Sequence, residues 1–183
     1  MQAHELLLNR QSDSHLSFPG PNAEQLSLIQ HAALRVPDHA NLAPWQFIVL
    51  EDERRAELGA IFADAAVQEA MGERAIERAA SLVDRAPMII VCIMKYKPHD
   101  KVPRVEQIAS ASCATFAMQQ AAYAQGLAGI WRTGSYAQSD YVKSRLGLQR
   151  DDEIIGFLYL GTATVDCPKK RRHLVEDFFT SRI

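Results

Sequence analysis

The sequence predicts a single domain, residues 1–183, built as an α+β or α/β layer structure around one sheet. Three observations carry this expectation. Four short apolar segments, residues 47–50, 88–94, 127–131 and 154–161, read as buried strands and are separated by helix-length stretches. Neither an internal repeat nor a low-complexity linker divides the chain. At 183 residues, 48% hydrophobic and 23% charged, it is long enough for one compact domain with a substantial core.

The elements follow in order. Residues 2–9 place Leu6, Leu7 and Leu8 in a short helix that ends at a polar cluster holding Arg10, Gln11, Ser12 and His15. Phe18-Pro19-Gly20-Pro21 is an extended turn. Asn22 then caps a helix carrying Leu26, Ile29, Ala33 and Leu34, with Gln25 completing a capping box. Beyond the strand at 47–50, Asp52 is the expected cap of a helix that turns Leu58, Ile61 and Phe62 inward. Residues 64–84 continue as a charged, alanine-rich helical region interrupted at Gly72, and Pro87 ends it.

The helix at about 104–125 is small or apolar on nearly every face, with Ala109, Ala111, Cys113, Ala114, Ala117 and Ala121 among its residues. Such a helix is buried on more than one side, so it belongs at the centre of the fold, covered by other helices or by a symmetry mate. Gly126 is its C-cap. The strand at 127–131 runs into Arg132-Thr133-Gly134-Ser135, a helix at 140–146 stops at Gly147, and residues 174–179 form a final helix or extended arm.

A net charge of -2 and a pI near 6.3 argue against a surface built to neutralise nucleic-acid phosphates. The dense basic run Lys169, Lys170, Arg171, Arg172 and His173 is either a solvated tail or an anion contact. Cys92, Cys113 and Cys167 are odd in number and widely spaced, which suits a reducing compartment and gives no zinc or disulfide framework. The start of the chain has no apolar signal segment, and the longest apolar run, 86–94, is too short for a bilayer. The expectation is a soluble cytoplasmic protein with no nucleic-acid or membrane partner.

The stretch 35–45, Arg-Val-Pro-Asp-His-Ala-Asn-Leu-Ala-Pro-Trp, carries more chemistry than a helix-to-strand connector needs. Arg35, Asp38, His39 and Asn41 crowd polar groups between Pro37 and Pro44. Rigid polar loops of this kind commonly carry binding groups, although a well-capped turn would read the same way. No Gly-x-Gly-x-x-Gly, Walker loop, Gly-x-Ser-x-Gly elbow or paired metal-ligand spacing is present. What remains is three donor-rich corners, at 10–12, 35–39 and 131–133, with no evident nucleophile or metal. They suit a large anionic cofactor that carries the chemistry itself.

Four motifs in order, Leu-Leu-Leu-Asn-Arg-Gln-Ser at 6–12, the 35–47 stretch, Gly-Leu-Ala-Gly-Ile-Trp-Arg-Thr-Gly at 126–134 and Ile-Gly-Phe-Leu-Tyr-Leu-Gly-Thr at 155–162, are specific. Together they resemble the nitroreductase family of FMN-dependent NAD(P)H oxidoreductases, nearest its small-subunit, YdjA-like branch. The resemblance implies an intertwined α+β homodimer, a central sheet flanked by helices, with FMN at the subunit interface. Arg10, Gln11 and Ser12 would hold the FMN phosphate and ribityl region, Arg35 and His39 would come from the partner subunit, and Trp131, Arg132 and Thr133 would complete the pocket. Residues 121–126 match a segment associated with NAD(P)H, although their small side chains read more naturally as helix packing. A C-terminal basic residue, Arg172 by preference over Arg171, would approach the phosphate.

One departure stands out: His15 occupies a position where this branch commonly has a second arginine. The implied chemistry is ping-pong transfer from NAD(P)H through the flavin to a small organic acceptor, with no side-chain nucleophile. His39 would make a ribityl or ring hydrogen bond rather than donate a proton. Neither the acceptor nor the NADH/NADPH preference can be read from the residues. A flavin-storing or flavin-sensing protein without turnover, and a nonenzymatic dimeric module, are the competing readings.

Overall fold

The computed structural model describes residues 1–165 and 173–181. Its sheet contains β1 (Leu16–Ser17), β2 (Trp45–Glu51), β3 (Met88–Met94), β4 (Ala128–Arg132) and β5 (Glu153–Ala163). The pairing runs β1-β5-β3-β2, with β4 also on β5, and every pair is antiparallel. That decides between the two layer classes: the protein is α+β. Helix-length connections between strands left both classes open in the sequence, because the same spacing serves a parallel crossover.

β3 is an unbroken apolar run because both faces of the sheet are covered. All seven of its residues, Met88–Met94, are fully buried. Ile89, Val91 and Ile93 point into one core with Leu58 and Phe62, while Met88, Ile90, Cys92 and Met94 point into the other with Ile29, Ala33 and Met118. The first core lies under α3 (Asp52–Gln68), α4 (Glu73–Ala79) and a 3-10 turn, Ala80–Arg85. The second lies under α2 (Ala23–Ala33) and α5 (Arg104–Ala124).

Helix boundaries follow local chemistry. α1 spans Ala3–Asn9, and α2 begins with the expected capping box: Asn22 Oδ1 accepts from the Gln25 N–H at 2.9 Å, and Gln25 Oε1 from the Asn22 N–H at 3.0 Å. Gly72 at φ 92° separates α3 from α4. Asp52 does not cap α3; it is the helix's first residue, at φ 46°, with Glu51 before it and no side-chain cap bond. α6 (Ser135–Gln138) and β1 are too short to show a periodic signal, and neither was anticipated. α7 spans Asp140–Arg145, and the tail contributes one 3-10 turn, Val175–Asp177. Among the described residues no helix is long and apolar enough to cross a membrane.

α5 buries one face, with Gln107, Ala111, Ala114, Met118 and Ala122 at helical spacing. Its other face leaves Val105, Cys113 and Phe116 exposed in the single chain.

One irregularity in β5 shapes the functional end of the sheet. The β3–β5 register steps from Cys92↔Gly156 to Ile93↔Ile154, leaving Ile155 as an extra residue in a bulge. Trp131 fills the space above it and donates its indole N–H to the Ile155 carbonyl at 3.1 Å. A Cβ on Gly156, at φ 152°, would sit 2.3 Å from the Trp131 indole nitrogen and 2.6 Å from the Arg132 carbonyl oxygen. Just before β5, Asp152 accepts from Lys95 Nζ and from the N–H groups of Tyr96 and Gln149. Burial alone would raise this carboxyl, but the three donors outweigh it and hold Asp152 below the ordinary carboxylate range.

Gly156→Ala is therefore expected to lower unfolding free energy by on the order of 3 kcal/mol, from backbone strain plus overpacking. Gly126→Ala, at φ 80° with nothing within 4 Å of the added carbon, should cost only about 1 kcal/mol. Denaturant unfolding of the two variants measures the difference.

Candidate functional site

The first polar corner is built by a buried amide. Gln119 on α5, 4% exposed, donates Nε2 to the Gly129 carbonyl of β4 at 3.0 Å and lies 3.5 Å from Ser12 Oγ. The Asp13 N–H donates to the same carbonyl at 3.0 Å. These bonds hold residues 12–13 against β4, the strand that leads to Trp131, Arg132 and Thr133. Arg10 extends over the Phe116 ring, 5.3 Å from its centroid, and burial pushes its guanidinium below the ordinary arginine value while Tyr123 opposes the shift. Gln11 faces a second cavity beside Asp13, Tyr123 and Gly126. His15 stands 3.7 Å from Asp13 Oδ1. The 121–126 segment closes α5 and supplies its C-terminal turn, with Ala122 buried in the core.

The end of β4 opens on a cavity of about 490 Å³ whose walls include Phe62, Arg85, Arg132, Thr133, Tyr136 and Tyr159. None of its described lining residues is acidic. Arg132 Nε and the Tyr136 hydroxyl are buried without hydrogen-bond partners among the described residues. Each such orphan costs about 1–3 kcal/mol. Burial pushes the Arg132 guanidinium down, Arg85 repels it further, and Tyr159, whose ring centroid is 5.7 Å away, offsets part of this. The Tyr136 hydroxyl is pushed up by burial. Two cations that repel each other, beside unpaired donors and flat aromatic walls, form a receptor for a planar or anionic group. Trp131 borders the same cavity, but its N–H is already committed to the bulge.

The 35–45 stretch is held in a costly shape. After α2, a 3-10 turn at His39–Asn41 is followed by the bend into β2, and Ala40, Asn41 and Ala43 adopt φ values of 60°, 52° and 47°. Non-glycine residues resist this left-handed region by about 1–2 kcal/mol each. Compensating bonds surround the loop: Asp38 Oδ2 accepts from the Ala43 N–H at 2.7 Å, Ser110 Oγ donates to the Pro37 carbonyl at 2.7 Å, and Lys97 Nζ donates to the Leu42 carbonyl at 2.5 Å. His39 Nδ1 lies 2.7 Å from Glu106 Oε2. Arg35 and His39 are exposed.

The sequence-predicted residues thus fall into two groups. Ser12 and 131–133 are joined through Gln119 and β4. Arg35 and His39 lie elsewhere: β2 is separated from β4 by β3 and β5, three strand spacings or about 14 Å. Along α5, Glu106 and Gln119 are thirteen residues apart, about 20 Å of helix. Arg172 lies outside the described residues. Sequence reasoning missed Arg85, Tyr136 and Gln119. Arg85 falls just past the charged, alanine-rich region at 64–84, at the end of the 3-10 turn before Pro87, and nothing in its neighbours' pattern marks it.

Helices on both faces of an antiparallel sheet define an α+β protein, and the cationic cavity at the sheet edge has no acidic lining residue among the described residues. The match to the family model described as "Nitroreductase family" covers residues 7–162, and the chain belongs to the nitroreductase family. It is 46% identical over 162 residues, 88% of each chain, to the Escherichia coli (strain K12) protein named "Putative NAD(P)H nitroreductase YdjA". Among solved structures, the nitroreductase-like family protein from Bacillus cereus superposes with a TM-score of 0.87 at 21% identity, covering 100% of this chain and 96% of that one. The FMN-bound nitroreductase from Bacteroides fragilis NCTC 9343 superposes at 0.74 and 18% identity, with 98% of each chain covered.

Because Arg85 and Arg132 repel, Arg85→Gln should leave ligand-free stability unchanged or raise it by up to about 1 kcal/mol. Denaturant unfolding checks this, and a larger loss would reveal a structural role for Arg85.

Proposed function

We propose that the chain is an FMN-dependent NAD(P)H oxidoreductase acting on a small organic acceptor, with homodimeric sites that each draw residues from two subunits. The observation that carries this reading is the cavity at the end of β4, with two cations, two buried orphan donors and no acidic lining residue. Those groups fit FMN: arginine and tyrosine donors suit the carbonyl-rich edge of the ring, aromatic walls suit its plane, and Arg10 with Ser12 suits a phosphate. The names of the E. coli relative and the B. fragilis structural neighbour support the same choice.

When bound, FMN supplies the redox chemistry, taking hydride from NAD(P)H and passing electrons to the acceptor. The chain's own residues orient and stabilise. Arg132 and Arg85 set a positive potential at the cavity wall, which favours a ligand whose negative charge increases. Thr133, exposed at the cavity mouth, offers a hydroxyl and a backbone amide. Gln119 keeps the Ser12 corner in register with β4.

A second copy of the chain accounts for the rest. Val105, Cys113 and Phe116 leave one face of α5 apolar and uncovered, and Leu28 and Leu34 of the neighbouring helix region are exposed as well. A partner packed on that face would be the source of a second Arg35 and His39 loop, since the chain's own loop lies far from the end of β4.

The purified protein should be yellow or take up FMN, and should bleach on anaerobic addition of NADH or NADPH. Arg132→Met should weaken FMN binding at least tenfold, and Phe116→Arg should yield a monomer that binds FMN poorly. Tight FMN binding without reduction by either nucleotide would replace this reading with a storage or sensing protein. Failure to bind FMN at all would overturn it.

A further inference from the structure

We propose that Glu106 is a positioning residue for His39, fixing the imidazole with its proton on Nδ1 so that Nε2 meets the bound cofactor as an acceptor. This inference rests on the FMN reading above for what lies opposite Nε2. The placement of the ring itself rests on geometry within the chain.

The observations converge from three directions. Glu106 and His39 are separated by 67 residues, yet Glu106 Oε2 and His39 Nδ1 are 2.7 Å apart. Ser110, one turn further along α5, holds the Pro37 carbonyl at 2.7 Å. One helix face therefore grips the loop twice, once by its backbone and once by its imidazole. The loop backbone is fixed again by Asp38 and Lys97, and it carries three left-handed non-glycine residues. Against that rigid frame the ring's own torsions are the freedom left to set, and the Glu106 contact sets them.

The chemistry then has a direction. A carboxylate only accepts, so the nitrogen facing it carries hydrogen, and a neutral ring must present a lone pair at Nε2. The side chains of His39 and Glu106 remain 54% and 46% exposed in the single chain, so Nε2 is free to receive a group from outside it. To a neutral ring that group is a donor, a ribityl hydroxyl or a ring N–H, rather than a phosphate or carbonyl oxygen. An acid in the first turn also favours a helix N-terminus, and Glu106 occupies that turn. The test must separate this helix role from the positioning role.

Two-bond proton–nitrogen correlation spectra of the full-length, histidine-labelled protein at mildly alkaline pH report the tautomer without cofactor. Wild-type His39 is expected to show the Nδ1–H form, and Glu106→Ala the ordinary mixture dominated by Nε2–H. FMN titration should show roughly tenfold weaker binding for Glu106→Ala and a smaller loss for the isosteric Glu106→Gln, whose amide oxygen can still accept from Nδ1. In a His39→Ala background, Glu106→Ala should change FMN affinity less than twofold, whereas a helix-terminus effect would persist there. An Nε2–H wild type, or an undiminished Glu106→Ala effect without His39, overturns the proposal. A wild type that does not bind FMN defeats the functional reading instead, and the tautomer spectrum still decides whether Glu106 positions the ring.

Discussion

The bulge at Ile155 and Gly156 is the constraint on which the functional end of the molecule depends. A side chain at Gly156 would collide with the Trp131 indole, because even a Cβ there would sit 2.3 Å from the indole nitrogen. With the extra residue, the Ile155 carbonyl is turned toward the indole N–H and the strand makes room for it. Trp131 goes to the α5 side of the sheet, so the next residue, Arg132, must point to the opposite face, toward Arg85 and Tyr159. The facing of Arg132 follows from side-chain alternation along β4, and the bulge at Gly156 leaves space for the Trp131 indole before it.

Electrostatic compensation divides the protein into two regions. Near the start of β5, charges are paired: Asp152 with Lys95, and Glu153 with Arg104 and Lys143. At the end of β4 they are left unpaired, and the like charges of Arg85 and Arg132 share one cavity wall. An overall charge of -2 conceals this local imbalance. The 35–45 loop shows the same pattern in backbone terms, with unfavourable φ values held in place by bonds from α5 and Lys97. Among the described residues the 35–45 loop holds three of the five non-glycine residues with positive φ, and the cavity at the end of β4 holds two of the three buried orphan groups.

Much of this was legible in the sequence because the signals were local. The Asn22–Gln25 box, the strand at Met88–Met94, the break at Gly72 and the donor-rich corners all depend on neighbours within a few residues. Strand direction was not legible from periodicity, since helix-length connections serve parallel and antiparallel pairs alike; the α+β class was implied by the family resemblance, and the antiparallel register agrees with it. Asp52 misled because a good capping residue type says nothing about the φ its position will adopt. Gln119 and Arg85 were invisible for another reason: each acquires its role from partners that the fold alone brings near. The 35–39 and 131–133 corners were recognised as polar, but their separation within one chain could not be read from residue order.

The placement of β5 carries a kinetic consequence. Among the described residues this strand is the last, and it pairs with β1, β3 and β4, whereas β2 pairs with β3 alone. During synthesis the β2–β3 pair can form early, but β1 and β4 have no strand to join until residues near 163 have emerged. Both cores stay open on one side for most of translation, with the apolar edge of β3 uncovered. Closure is then a late, long-range event of the kind that slows folding and lengthens the exposure of unpaired strand edges.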